Sequence, residues 1–264
     1  MARVPIGMDE EVIHRRRRGV YLLPNLFTTA GLFAGFYGIV AALKGEFEMA
    51  AMAIFIAMAM DNLDGRIARL THTQSAFGVQ YDSLADMVSF GIGPALILYK
   101  WSLFSMGKLG WLAAFIYTAG AALRLARFNT QVGIADKRYF QGLSSPAAAG
   151  LVMSLVWVSA PYGFQAERMA WPALVLTVAA GLLMVSNIRY HSFKDLNFKG
   201  RVPFVTGLMV VLAFVLISLS PPRVFFLVFL IYAVSGPVLT LTHLRRRRAQ
   251  RRAAGRSEAR PGAK

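Results

Sequence analysis

Four aspartates within 26 residues carry the densest chemistry in this sequence: Asp61, Asp64, Asp82 and Asp86. They are four of only thirteen acidic residues in a chain of 264. Helical spacing puts Asp61, Asp64, Gly65 and Ala68 on one face, at offsets of three, four and seven. Gly78, Asp82, Asp86 and Ser89 share a face on the next helix in the same way. A short turn between the two helices would bring both acidic faces together. Carboxylates so placed repel one another unless cations bind between them. Hard oxygen ligands on rigid helices facing a diphosphate suit Mg²⁺ or Mn²⁺ better than zinc.

The neighbours of the acids extend this reading. Gly65 and Ala68 lack bulk and so leave room for a large ligand against the backbone. Arg66 and Arg69 add fixed positive charge where phosphate would lie. Further along, Arg124 and Arg127 stand one turn apart near the end of an apolar run.

These groups must be positioned by membrane helices. A bilayer-crossing helix needs roughly 20 mostly apolar residues. Stretches 19–43, 143–164, 169–188, 203–220 and 224–243 are uncharged over about that length. Eight spans are expected, at about 21–43, 47–65, 80–104, 109–128, 144–163, 169–188, 203–220 and 224–243. The expected fold is an all-α polytopic bundle. Its parts are a basic segment 1–20, a transmembrane domain 21–243 and a basic, disordered tail 244–264. With both termini cytoplasmic, all but five of the 29 Lys and Arg lie inside: Lys44, Lys100, Lys108, Arg168 and Arg223 are the outer set. That asymmetry is what the positive-inside rule demands.

Three expected spans break the apolar pattern. The second is uncharged only over Met49–Met60, the third only over Met87–Tyr99, and the fourth carries Arg124 and Arg127. Every irregularity falls on the cytoplasmic side. Ionisable groups at membrane depth are costly, face a bundle interior and mark function. A polar pocket opening inward among spans two, three and four follows. Gly31, Gly35 and Gly38 make a small-residue face on the first span, a pattern of close helix packing.

Composition excludes other classes. The net charge of +16 lies in tails and loops beside spans, as in the Arg15–Arg18 and Arg245–Arg248 runs. Such runs favour anionic lipid surfaces, and no aromatic-interleaved soluble module points to nucleic acid. Lys194, in a basic loop, reads as an anionic-lipid contact. Cysteine is absent, so there is no disulfide framework. The first apolar run is too long for a signal-peptide core and is followed by many more, which makes it a retained span.

The pattern D-x2-D-G-x2-A-R-x8-G-x3-D-x3-D, complete from Asp61 to Asp86, resembles the signature of the CDP-alcohol phosphatidyltransferase family. The stretches 82–95, 126–129 and 140–148 resemble the phosphatidylserine synthase branch of that family. The resemblance implies an enzyme in the membrane, of the bacterial inner membrane type, with its active site facing the cytoplasm. The family core has six spans, so two of the eight would be additional. A homodimer is a further family expectation, which the glycine face permits.

The implied reaction is attack of an alcohol, L-serine in this branch, on the phosphorus of CDP-diacylglycerol that bears diacylglycerol, releasing CMP. By resemblance, Asp61, Asp64 and Asp82 are metal ligands and Asp86 closes a second metal site. Asp86 is also the candidate general base. Gly65, Ala68 and Gly78 would line the cytidine pocket, with Arg69 on phosphate. Asn25, after Pro24 at the start of the first span, either reaches the same pocket or simply begins a helix. No activated Ser, Cys or His lies in the motif, which favours direct displacement over a covalent intermediate. The serine carboxylate needs a cation, and Arg127, with Arg124, is the candidate for bidentate pairing. Asn129 would assist. The alternative for both arginines is that they snorkel to the interface.

Within the family, glycerol 3-phosphate, inositol phosphate or choline could replace serine as acceptor; the two phosphates call for denser positive charge. Intramembrane prenyltransferases also surround a metal-bound diphosphate with aspartates, but on two motifs distant in the chain. An ion-coupled transporter would leave Gly65, Ala68, Gly78 and the eight-residue spacer unexplained, and no internal repeat supports one.

Overall fold

Inside a bilayer an apolar chain satisfies its backbone hydrogen bonds within each segment, and the helix is the form that does so. A computed structural model of the chain describes residues 8–71, 73–131, 139–160, 168–191 and 204–258. Its helices overlap all the apolar stretches of the sequence: α1 (Met8–Leu43), α2 (Phe47–Leu70), α3 (Ala76–Asp86), α4 (Gly93–Trp101), α5 (Lys108–Gln131), α6 (Ser145–Ser159), α7 (Ala170–Val185), α8 (Phe204–Leu219) and α9 (Pro221–Glu258). Among the described residues, three segments are long and apolar enough to cross a membrane, Leu23–Leu43, Lys108–Thr130 and Pro221–Thr242; Ser145–Ser159 and Ala170–Val185 are shorter apolar helices. Large apolar side chains such as Phe33, Phe36, Phe115 and Phe214 point outward, as lipid-facing residues do. The core is built from small residues, with Tyr117, Phe90, Ile54 and Met153 fully enclosed.

The third apolar stretch departs from a plain helix. Between α3 and α4, residues Met87–Ile92 form one π-helical turn. Pro94, at the start of α4, has no N–H to offer the carbonyl of Phe90 four residues back. The buried Tyr117 hydroxyl of α5 donates to that carbonyl instead, at 3.0 Å. Turns of this kind recur at functional sites, and this one directly follows Asp86.

Where α1 crosses this turn, the glycine face is consumed within the chain. A Cβ on Gly31 would lie 3.4 Å from the Met60 Cβ, and one on Gly38 3.1 Å from the Ala50 carbonyl oxygen. At Gly35 the fit is closest, since a Cβ would overlap Ser89, with its Cα only 2.8 Å away. Ser89 in turn donates to the Gly31 carbonyl at 3.3 Å. Gly35→Ala should therefore lower the thermal unfolding midpoint in detergent, with an overpacking cost of about 1–3 kcal/mol. An unchanged midpoint would mean that α1 can move off the π turn freely.

Three features differ from the sequence expectation. The basic tail, expected to be disordered, continues α9 as helix to Glu258; its Arg, Ala and Gln residues are good helix formers. At the other end α1 begins within the basic segment, at Met8. A two-stranded antiparallel ladder also joins β1 (Tyr139–Gln141) to β2 (Arg189–His191), pairing Phe140 with Tyr190. It ties the segment before α6 to the one after α7. Tyr190 is fully buried and its hydroxyl donates to the Ala233 carbonyl of α9 at 2.9 Å. Burial and the adjacent Tyr232 push its phenol up to about 12, so it remains a donor. Lys194 lies outside the described residues.

Candidate active site

The site forms where α2, α3 and α1 meet. Helix α2 runs unbroken past Asp61 and Asp64, so these acids sit within a packed helix and not at its frayed end. Ser75 caps α3, accepting from the Gly78 N–H at 3.0 Å. That cap starts α3 in the register that turns Asp82 and Asp86 toward α2.

Asp61, Asp64 and Asp82 each present a carboxylate oxygen, and the three oxygens lie within 4.8 Å of one another. Asp86 lines the same cleft as Asp61, with Thr28, Gly31 and Ser89. Asp82 and Asp86 are partly buried, and each is repelled by the charge of Asp61 and Asp64. Converging hard oxygens in a partly buried cleft fit one or more divalent cations, which would offset this repulsion. They do not fit a structural zinc site, which uses thiolate and imidazole ligands.

Asp64 is the most enclosed of the three oxygen donors, at 5 % exposure. The Thr28 hydroxyl of α1 donates to its Oδ2 at 2.7 Å and holds the carboxylate in place. Sequence reading missed Thr28. The available signal was its position three residues after Asn25 and three before Gly31, on the packed face of the first span. Outer partners of metal ligands typically contribute 10–100-fold in affinity or activity. Thr28→Val should thus weaken Mn²⁺ binding about 10–100-fold, read as the metal concentration giving half-maximal activity; no change would leave Thr28 a packing residue only.

The residues expected at a nucleotide pocket also gather near the cleft. Asn25 does reach α3, since a Cβ on Gly78 would stand 3.4 Å from its Oδ1. Thr29 and Tyr81 hydrogen-bond at 2.9 Å along the same seam. On α2, the nearest group to a Cβ on Gly65 would be the Arg69 guanidinium at 3.7 Å, leaving its surroundings open. Arg69 is exposed and Ala68 half-buried on that surface.

The three residues expected to hold an acceptor separate. Arg124 turns inward, donating through Nη1 to Ser145 Oγ at 3.0 Å, and lies within electrostatic reach of Asp86. Its buried Nε has no hydrogen-bond partner among the described residues. Arg127 turns toward the end of α7, donating to Asn187 Oδ1 at 3.2 Å and to the Ser186 carbonyl at 3.5 Å. Asn129 donates to Ser83 Oγ at 3.0 Å and so braces α5 against α3 beside Asp82.

Comparison with known proteins agrees with this geometry. Residues 21–185, more than half of the chain, match the CDP-alcohol phosphatidyltransferase family. A CDP-diacylglycerol–serine O-phosphatidyltransferase of Helicobacter pylori is 38% identical over 215 residues, covering 81% of this chain and 90% of the relative. One of Methanocaldococcus jannaschii is 34% identical over 199 residues, covering 75% and 86%. An archaetidylserine synthase of Methanothermobacter thermautotrophicus is 31% identical over 170 residues, covering 64% and 69%.

Proposed function

The chain belongs to the CDP-alcohol phosphatidyltransferase family, and we propose that it works as the serine enzyme of that family. It transfers the phosphatidyl group from CDP-diacylglycerol to the hydroxyl of L-serine, giving phosphatidylserine and CMP. The observation that carries this reading is the meeting of three aspartate oxygens within 4.8 Å, in one cleft with Asp86. On α5, Arg124 turns inward and donates to Ser145 Oγ.

Asp61, Asp64 and Asp82 would hold a divalent cation, with Asp86 completing the place of a second; Mg²⁺ and Mn²⁺ both suit. When bound, such ions neutralise charge on the diphosphate and on the departing CMP. Gly65, Ala68 and Gly78 leave the space for the cytidine half, Asn25 borders it, and Arg69 offers charge to phosphate. Asp86 accepts the proton of the serine hydroxyl as its oxygen bonds to the phosphorus bearing diacylglycerol, and the bond from phosphorus to the CMP oxygen breaks. Direct displacement fits because the cleft lining among the described residues holds no Cys or His, and its Ser89 is occupied in holding α1.

Arg124 is the stronger candidate for the serine carboxylate, since it turns inward to Ser145 and its buried Nε has no hydrogen-bond partner among the described residues. Arg127 would support it from the α7 side, and Asn129 by fixing α3. An inward guanidinium suits a carboxylate; a phosphate-bearing acceptor calls for more charge. The wider reading has eight spans, both termini and the site on the cytoplasmic side of a bacterial inner membrane, and basic ends resting on anionic lipid. The expected homodimer would need a surface other than the glycine face, which is filled within the chain.

Competition tests the acceptor. With CDP-diacylglycerol and equal concentrations of serine, glycerol 3-phosphate, inositol phosphate and choline, mass spectrometry of the lipids should find phosphatidylserine as the dominant product. Another phospholipid in its place would keep the family and overturn the acceptor.

A further inference from the structure

The π turn at Met87–Ile92 joins the acid-bearing helix α3 to α4. Such a turn adds one residue to the α-helical count, and one residue turns a helix by about 100°. Beyond the turn, α4 is fixed in the core, with Ile97 and Leu98 fully buried. The turn therefore sets the direction in which α3 presents Asp82 and Asp86.

Its hydrogen bonds explain why it does not relax to plain helix. The Gly93 N–H reaches back five residues, to the Val88 carbonyl. Pro94 cannot supply the donor that an α-helical ladder would bring to the Phe90 carbonyl. Phe90 is buried, and the donor to its carbonyl is the Tyr117 hydroxyl, at 3.0 Å. Tyr117 is itself fully buried on α5. One helical turn further along α5, Ala121 closes on Gly91, where a Cβ would lie 3.2 Å from the Ala121 Cβ. From the other side, Ser89 donates to the Gly31 carbonyl of α1. A Cβ on Gly93 would stand 3.3 Å from Ile54 Cδ1, on α2. Three helices thus grip the turn, and Tyr117 does so through the carbonyl that the helix cannot pair.

We infer that Tyr117 is a positioning residue for phosphatidyl transfer: its hydroxyl holds the π turn in the register that directs Asp82 and Asp86 toward Asp61 and Asp64. Tyr117 lies outside the cleft lining and acts through the backbone. The inference rests on the reading of this cleft as a cation-dependent transferase site.

Tyr117→Phe keeps the ring and strands the Phe90 carbonyl. Because misplacing a reacting group by about 1 Å costs about 10²-fold, kcat should fall about 10–100-fold. The Mn²⁺ concentration giving half-maximal protection against thermal unfolding should rise about tenfold, the low end for displaced ligands. The serine KM should stay within about twofold of wild type. Pro94→Ala supplies the missing N–H and so competes with Tyr117 for the Phe90 carbonyl. It should lower kcat and weaken Mn²⁺ protection in the same way, while the metal-free unfolding midpoint stays at or above that of wild type. A merely structural contact would lower that midpoint in Tyr117→Phe and leave kcat and Mn²⁺ protection of the folded enzyme unchanged, which overturns the inference. Pro94→Ala with wild-type kcat and Mn²⁺ protection overturns it too, and decides the matter if Tyr117→Phe does not fold. A wild type that Mn²⁺ protects but that releases no CMP with serine overturns the serine reading alone, since the metal titrations of both variants still test Tyr117.

Discussion

Asp86→Asn should abolish serine-dependent CMP release while sparing metal-dependent nucleotide binding. The carboxylate lines the cleft with Asp61, Asp64 and Asp82 but stands outside the trio whose oxygens converge within 4.8 Å. Asparagine keeps its shape and one ligating oxygen, and loses the capacity to take a proton. Positioned proton transfer contributes about 10²–10⁴ in rate, so turnover should fall by at least that range. Binding of a CMP analogue in the presence of Mn²⁺ should weaken only modestly. Loss of nucleotide binding together with turnover would make Asp86 chiefly a metal ligand.

Asp64→Ala should have the opposite division of effects, losing cation binding and turnover together. Asp64 is the most deeply enclosed donor of the trio and the one fixed by Thr28. Removing a preorganised group that offsets transition-state charge costs about 10²–10³ in rate, and loss of the cation itself costs at least as much. Stability gives an independent readout. A ligand that binds only the folded state at a hundred times its Kd stabilises it by about 2.7 kcal/mol. Wild-type protein should show a Mn²⁺-induced rise in unfolding midpoint, and Asp64→Ala should show none. A variant that is still stabilised by Mn²⁺ would place the cation elsewhere.

The aspartate face was legible because its spacing repeats the helix period and because charge is conspicuous in apolar helices. The same logic located the helices themselves. The π turn after Asp86 was not legible, since it arises from Pro94 and a hydroxyl on another helix, Tyr117, a pairing distant in sequence. The ladder between 139–141 and 189–191 is invisible for a similar reason: three-residue strands carry no usable alternation. Arg124 and Arg127 look equivalent along the chain, one turn apart. Only packing tells them apart, because Ser145 on α6 draws one inward while Asn187 draws the other to the end of α7. The helical tail shows the converse limit, where charge density argued for disorder and helix-forming composition won.

The central claim is that the aspartate cleft transfers a phosphatidyl group to serine with the help of a divalent cation. Its most direct test is CMP release by the purified protein from CDP-diacylglycerol, with serine and Mn²⁺ each present or withheld. The account predicts CMP only when both are present. CMP release that persists in EDTA, or that proceeds equally without serine, would contradict it.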